Sequence, residues 1–283
     1  MIAVIVINYK NEERTIRFVR DETSKIVSPH CVIIVDNGAT AKSTEKLKCL
    51  KNDFEHCEII PSAENLGFAK GNNLGAESAR KKYDPDILLF TNNDIRFIDS
   101  DAADRLASKL LSLPEAGMIG PRVVGLDGKL QSPDPFISFW DKHIWIYWSN
   151  LFYGKGHKIR HFRQDYSEKA AEGYHYKVMG SFLMAKADDF FACGMMDPMT
   201  FLFAEETILA ERMKKIGKKV YYYPEVSVLH EHGNTTRKHF DELKIRQLKL
   251  ESDSYYYHHY IGTPYWQIAL AKMTYKLKAI FKR

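Results

Sequence analysis

A membrane-length apolar run, a phosphate-loop signature and a strong excess of one charge are all missing from this 283-residue chain. No apolar stretch approaches the ~20 residues that cross a bilayer, so a soluble or peripheral protein is expected. The opening MIAVIVINYKNEE has neither a basic leader nor a small-residue cleavage site, which reads as a cytoplasmic chain without a signal peptide. G-x-G-x-x-G does not follow the first apolar run, and GxxxxGK[ST] is absent. Two common nucleotide-binding designs are thereby excluded. The net charge of +5 sits mostly after residue 236. A near-neutral body argues against nucleic acid as a partner. The four cysteines, Cys31, Cys49, Cys57 and Cys193, have no metal-like spacing and read as reduced packing residues.

What is present is a rhythm. Ile2–Ile7 is a β-branched run of the kind that forms a strand covered on both faces. Asn11 to Val27 follows as a helix, Cys31–Val35 as a strand, Ser43 to Leu50 as a helix and Glu58–Ile60 as a short strand. Asn65 to Lys82 is a helix rich in Ala and Gly, Ile87–Thr91 a strand and Asp101–Leu113 a helix. Such alternation predicts an α/β fold, a doubly wound and mostly parallel sheet flanked by helices. After Pro114 the rhythm breaks, and residues 128 to 175 read as irregular loops with exposed rings. Order returns at Tyr176–Ala185, near Asp188–Cys193, over a helix at Glu205–Ile216 and at strand segments Val220–Tyr223 and Ser227–Leu229. From about Thr236 the chain reads as helical and basic. The expected organisation is a catalytic domain over 1–235, with halves 1–120 and 121–235, and a tail over 236–283.

In open α/β sheets, ligands bind beyond the carboxyl ends of the strands. Those ends read Asn8-Tyr9, Asp36-Asn37-Gly38, Asn65-Leu66-Gly67 and Asn92-Asn93-Asp94. A turn explains any one of them; a shared ligand explains the set. The tail WQIALAKMTYKLKAIFKR places Trp266, Leu270, Met273, Leu277, Ile280 and Phe281 near one helical face and its basic residues mostly off it. Two readings stand for it: peripheral contact with an anionic membrane, or docking on the protein itself.

The segments VIVINYKNEE, VIIVDNG, NLGFAKGNNLGA, LLFTNND, GSFLMAKADDF and FLFAEETILAERMKKIGKKVYYYPEVSVLHEHG together resemble the family 2 glycosyltransferases. The likeness is greatest to their rhamnosyltransferase-like branch, which builds bacterial surface polysaccharides, and it runs from about Met1 to Gly233. The resemblance implies the GT-A fold, a nucleotide-sugar donor (UDP- or dTDP-linked), a divalent Mg²⁺ or Mn²⁺ and inversion at the anomeric carbon. By resemblance Asp94 binds the metal on the donor diphosphate and His230 completes that site, with His232 as a rival. Asn92 and Asn93 depart from the commoner triplet, where an acid, a proline or another small residue is frequent. Asn92 is left with ribose or metal-bound water.

Asp36 would accept from the nucleoside, Asn8 and Tyr9 would flank its base, and Asn65, Gly67 and Lys70 would serve the phosphates at a helix start. Glu206 is placed as the base that deprotonates the acceptor hydroxyl. Its neighbour Glu205 would cap the helix or meet another acceptor group. The acceptor expected is a saccharide, lipid-linked in polysaccharide or O-antigen and capsule synthesis, reached at the inner face of the cell membrane. The alternatives are a sugar nucleotidyltransferase, whose glycine-rich loop NYKNEER lacks, and an inactive carbohydrate-binding partner.

Overall fold

The structure, a computed structural model, describes residues 1–145, 159–231 and 241–281. Its first part follows the alternation of the sequence. Strand β1 (Ile2–Asn8) leads into α1 (Glu12–Glu22), then β2 (His30–Asn37), α2 (Ala41–Leu47), α3 (Leu50–Asp53) and β3 (Cys57–Ser62). Helix α4 (Gly67–Tyr83), β4 (Ile87–Thr91), the short β5 (Ile95–Phe97) and α5 (Ala102–Ser112) complete this part. Strands β3, β2, β1 and β4 lie side by side, all parallel.

Residues alternate between the two faces of these strands. Val4, Ile34 and Leu89 pack toward Phe18 and Val19 of α1 and Leu106 of α5. Ile5, Ile33 and Phe90 pack toward Ala69 and Ala76 of α4. Each fully buried Ile or Phe contributes ~1.5–3 kcal/mol, so both faces must be covered. The small residues of α4 serve that cover: a Cβ on Gly75 would lie 2.6 Å from Ile5 Cγ2. The helix approaches β1 more closely than any larger residue permits.

The second part was less regular in the sequence than it is in the fold. It comprises β6 (Ala116–Gly125), α6 (Ile159–Lys169), β7 (Gly173–His175), β8 (Phe182–Lys186), α7 (Ala187–Ala192), α8 (Glu205–Lys215) and β9 (Lys219–His230). Among the described residues nine strands form one sheet, ordered β3-β2-β1-β4-β8-β6-β9-β5, with β7 also on β9. Strand β6 was missed because Pro121 lies within it; the register shift between Pro121 and Arg122 absorbs the lost amide. The two segments expected around residues 220 and 228 are one strand, β9, although Pro224 interrupts its sequence pattern. Helix α6 falls where loops were expected, whereas the rings of Phe136, Trp140 and Trp145 are exposed as expected.

Helices α9 (Glu242–His259) and α10 (Tyr265–Phe281) follow. They dock through a third apolar cluster in which Tyr256, Tyr257, Ile268 and Ala271 meet Phe139, Ile144 and Ile208. The face of α10 turned inward is therefore not the stripe read from the sequence. Leu270 packs against the cluster, while Trp266 and Met273 are exposed. The side chains of Leu277, Ile280 and Phe281 lie outside the described set.

Candidate active site

The parallel register sets Asn8 level with Asp36, and the polar strand ends meet as one hydrogen-bonded chain. Asn93 Nδ2 donates to Thr15 Oγ1 at 2.9 Å, and Thr15 Oγ1 to Asn8 Oδ1 at 2.8 Å. Asn8 Nδ2 then donates to Asp36 Oδ1 at 2.8 Å. Ser43 and Thr44, in the first turns of α2, donate to Asp36 Oδ2 at 2.7 and 2.9 Å. Asn8, Thr15 and Asp36 are all buried. A carboxylate has about four acceptor positions, so three internal bonds leave Asp36 room for roughly one more.

Asn8 and Asn93, read from the sequence as nucleotide contacts, act here as braces. Both ends of the Asn8 amide are engaged, by Asp36 and Thr15, and Asn93 Nδ2 donates to Thr15. Tyr9 lies half-buried with its ring against Gly38, where a Cβ would stand 3.2 Å from Cε2. Thr15 went unnoticed because a threonine inside a helix carries no outward signal. The pair Ser43 and Thr44 had one: Thr40 and Ser43 form a capping box, marking where α2 begins.

The glycine-opened start of α4 also differs from expectation. Leu66 N–H donates to Asn37 Oδ1, Gly67 N–H to Asn65 Oδ1 and Phe68 N–H to the Phe201 carbonyl, at 2.7, 3.0 and 2.9 Å. Three amides at this helix start are thus satisfied within the protein. Gly67 is required for another reason. Its φ is +77°, and a Cβ would lie 2.3 Å from the Phe201 oxygen. Lys70, one turn on, is exposed.

Asp94 and His230 do come together. The pairing of Ile95 with His230 brings the imidazole Nε2 to 3.3 Å from Asp94 Oδ1, and both side chains are buried. Gln131 Oε1 lies 2.8 Å from His230 Nδ1. A tautomer with Nδ1–H donating to that oxygen would turn the Nε2 lone pair toward Asp94, as a ligating histidine requires. One carboxylate and one neutral imidazole fit Mg²⁺ or Mn²⁺, which take few protein ligands and fill the rest with phosphate and water. Among the described residues no cluster of three metal-ligating acids, histidines or cysteines occurs. His232 lies outside the described residues. Asn92 is half-buried, and its N–H donates to the Ser181 carbonyl at 2.9 Å.

Gly180, next to Ser181, links this end to the two glutamates, for a Cβ on Gly180 would lie 3.4 Å from Glu206. Phe203 and Ala204, which precede α8, have φ of 76° and 69°. Two successive non-glycine residues in the left-handed region cost of order 1–3 kcal/mol each. That strained turn leads into the helix, whose geometry sets the Glu205 and Glu206 side chains ~100° apart. Glu205 is buried, and among the described residues its Oε1 has no hydrogen-bond partner. Burial, and then the charge of Glu206, push its carboxyl up to about 8. Glu206 is 17% exposed and lies 2.7 Å from Lys177 Nζ. Burial opposes its ionisation, but the Lys177 charge outweighs that and holds it below the usual carboxylate range.

Lys177 also contacts Asp134 at 3.1 Å, and Arg163 grips Asp134 with two nitrogens. None of Lys177, Asp134 and Arg163 stood out in the sequence; each is recognisable only through partners distant in the chain. Helix α9 closes this cleft. Asp253 accepts from Lys142 and His143 at 2.9 and 2.8 Å, and Tyr256 meets the Tyr176 hydroxyl. Ser252 Oγ donates to the Leu202 carbonyl at 2.8 Å, tying the helix to the loop that leads into Glu205.

A polar sheet edge facing a charged cleft across Gly180-Ser181 suits a glycosyltransferase that draws on a nucleotide-sugar, and the architecture is the GT-A fold. The model of glycosyl transferase family 2 matches residues 3–171, and the chain belongs to that family. It is 22% identical over 256 residues to the N-acetylglucosaminyl-diphospho-decaprenol L-rhamnosyltransferase of Mycobacterium tuberculosis, covering 83% of this chain and 78% of that one. A low-salt glycan biosynthesis hexosyltransferase, Agl10 of Haloferax volcanii, is 24% identical over 136 residues, covering 47% of this chain and 41% of that one.

Solved structures show the same fold at low identity. The mannosyltransferase PcManGT of Pyrobaculum calidifontis, in complex with GDP-Man and Mn²⁺, aligns with a TM-score of 0.57 at 13% identity, covering 99% of this chain and 75% of that one. GalNAc-T7 with UDP, GalNAc and Mn²⁺ aligns at 0.54 and 13% identity over 82% of this chain, which spans 44% of that structure.

Proposed function

We propose that this glycosyltransferase moves a sugar, with inversion, from a UDP- or dTDP-sugar to a saccharide acceptor, and that it needs Mg²⁺ or Mn²⁺. The observation that carries the reading is the pairing of Asp94 with His230 at the sheet edge, opposite an ionised Glu206. Asp94 and His230 would hold the metal, which when bound supplies a Lewis acid for the diphosphate leaving group. Asp36 keeps one acceptor position for the nucleoside. Glu206 takes the acceptor proton; its depressed pKa keeps it unprotonated at neutral pH, and Lys177 orients it.

The cleft between Lys177 and α9 receives the acceptor. Both signs of charge and the half-buried Tyr176 ring suit sugar hydroxyls and sugar faces. The acceptor's lipid linkage is supported by the similarity to a rhamnosyltransferase named for a decaprenol-diphosphate acceptor. No helix among the described residues is long and apolar enough to cross a membrane. Exposed Trp266 and Lys272 on α10 support peripheral contact at the inner membrane face.

Thermal unfolding with UDP, dTDP or GDP, each with and without Mn²⁺, tests the reading. One nucleotide should stabilise the parent strongly only with Mn²⁺, and Asp94→Ala should lose that metal-dependent increment. A parent that no nucleotide stabilises, or an Asp94→Ala variant with an intact increment, would sink it.

A further inference from the structure

Helix α1 reaches the candidate donor site with two neighbouring side chains that point different ways. Thr15 is fully buried and joins Asn93, beside Asp94, to Asn8 and through it to Asp36. Every donor along that path points toward the Asp36 carboxylate, so each bond polarises the next. Arg14 goes to the other side of Asp94. Its Nη2 lies 2.8 Å from Glu231 Oε2 with the arginine side chain 12% exposed. Glu231 follows His230, and its N–H donates to the Asp94 carbonyl at 2.9 Å. Arg96 adds a weaker contact to Glu231 at 3.5 Å. One helical turn therefore holds three strand ends: β1 at Asn8, β4 at Asn93 and β9 at Glu231.

We infer that Thr15 and Arg14 are positioning residues that fix the metal pair Asp94–His230 relative to the nucleoside acceptor Asp36, and so make metal and nucleotide binding cooperative. The inference rests on the assignment of Asp94 and His230 as the metal site. Its physical content is a fixed spacing. A nucleoside diphosphate must reach both Asp36 and a cation at Asp94. If the two ends of the Asn93–Thr15–Asn8–Asp36 chain move independently, each ligand must order the other's site afresh. Coupling between the sites falls accordingly.

The test is calorimetric titration of UDP into the full chain, with and without Mn²⁺, for the parent, Thr15→Val, Thr15→Ser, Glu231→Gln and Asp94→Ala. Valine keeps the shape of threonine and removes the hydroxyl; serine keeps the hydroxyl. In the parent, Mn²⁺ tightens UDP binding. Thr15→Val breaks both links that the hydroxyl makes and should lose about tenfold of that enhancement, a coupling of ~1.4 kcal/mol. Thr15→Ser should retain it, and Glu231→Gln should lose a smaller part. The inference is overturned if Thr15→Val keeps the parental enhancement, or if Thr15→Ser loses as much as Thr15→Val. Should Thr15→Val fail to fold, Glu231→Gln decides alone, and a parental value there overturns the inference. Failure of the metal assignment looks different: Asp94→Ala itself then keeps the enhancement.

Discussion

The proposed donor edge and the proposed acceptor cleft solve the problem of buried polar groups in opposite ways. At the donor edge neutral amides and hydroxyls run in file to a single carboxylate, Asp36. In the cleft full charges are opposed in pairs, with Lys177 between Glu206 and Asp134, Arg163 on Asp134, and Lys142 on Asp253. A neutral file holds geometry across a range of pH. A charged cluster can hold one member ionised and leave its neighbour protonated, as Glu206 and Glu205 show. The first design suits a rigid binding frame and the second suits proton transfer.

The comparison breaks most visibly at Glu206. Glu206→Gln should cut turnover by ~10²–10⁴-fold, the usual worth of a general base, with donor affinity little changed. Steady-state kinetics with a fixed acceptor would check it, and a parental turnover would remove the cleft from the chemistry. Next comes the donor frame. Asp36→Asn should weaken nucleotide binding by ~1–3 kcal/mol, the worth of a charge-assisted hydrogen bond, in EDTA as well as with Mn²⁺. A loss confined to the Mn²⁺ arm would transfer Asp36 to the metal site.

A smaller effect is expected at Lys177. Without its charge, burial acts on Glu206 unopposed and its pKa rises. Lys177→Met should therefore move the acidic limb of the kcat/KM profile to higher pH. An unmoved limb would mean that another group sets it. The remaining effect concerns Glu205 and stability rather than activity. Its folded pKa of about 8 lies above the ordinary 4.5, so the folded state binds the extra proton between these values and stability declines as pH rises through that window. Glu205→Gln should flatten that decline, measured by denaturant unfolding from pH 4.5 to 8. Parallel curves for the two proteins would contradict the protonated state.

The two regions also differed in how far they could be read in advance. Strands β1, β2 and β4 are covered on both faces, so they appear as unbroken runs such as Ile2–Ile7. Their polar ends stood out against that background. Which way those polar groups face was not legible. Asn8 looks the same in sequence whether it meets a ligand or, as it does, Asp36. In the second half Pro121 and Pro224 interrupt β6 and β9 at irregular points of the ladder, which erased the strand pattern. Lys177 and Gln131 had no local signature, because their roles arise from Glu206 and His230, brought close only by folding. The same holds for Arg14, whose partner Glu231 is 217 positions away. The adjacent acids were legible as a pair. Their division into an ionised and a protonated member depends on Lys177, which no spacing revealed.

Strand β8 runs antiparallel between β4 and β6, and this has a consequence for cutting the chain. All five residues of β4 are buried, and one of its edges is completed by a strand encoded some ninety positions later. A fragment ending after α5 would carry every element of the parallel half and still present β4 as a bare, apolar edge. Such an edge templates pairing with another copy. Expressed alone, the fragment should self-associate, and adding residues 173–231 as a separate piece should suppress that by supplying β8 in trans. The parallel half is not a module that can be lifted out; the outer edge of its β4 is covered by a strand from the second half.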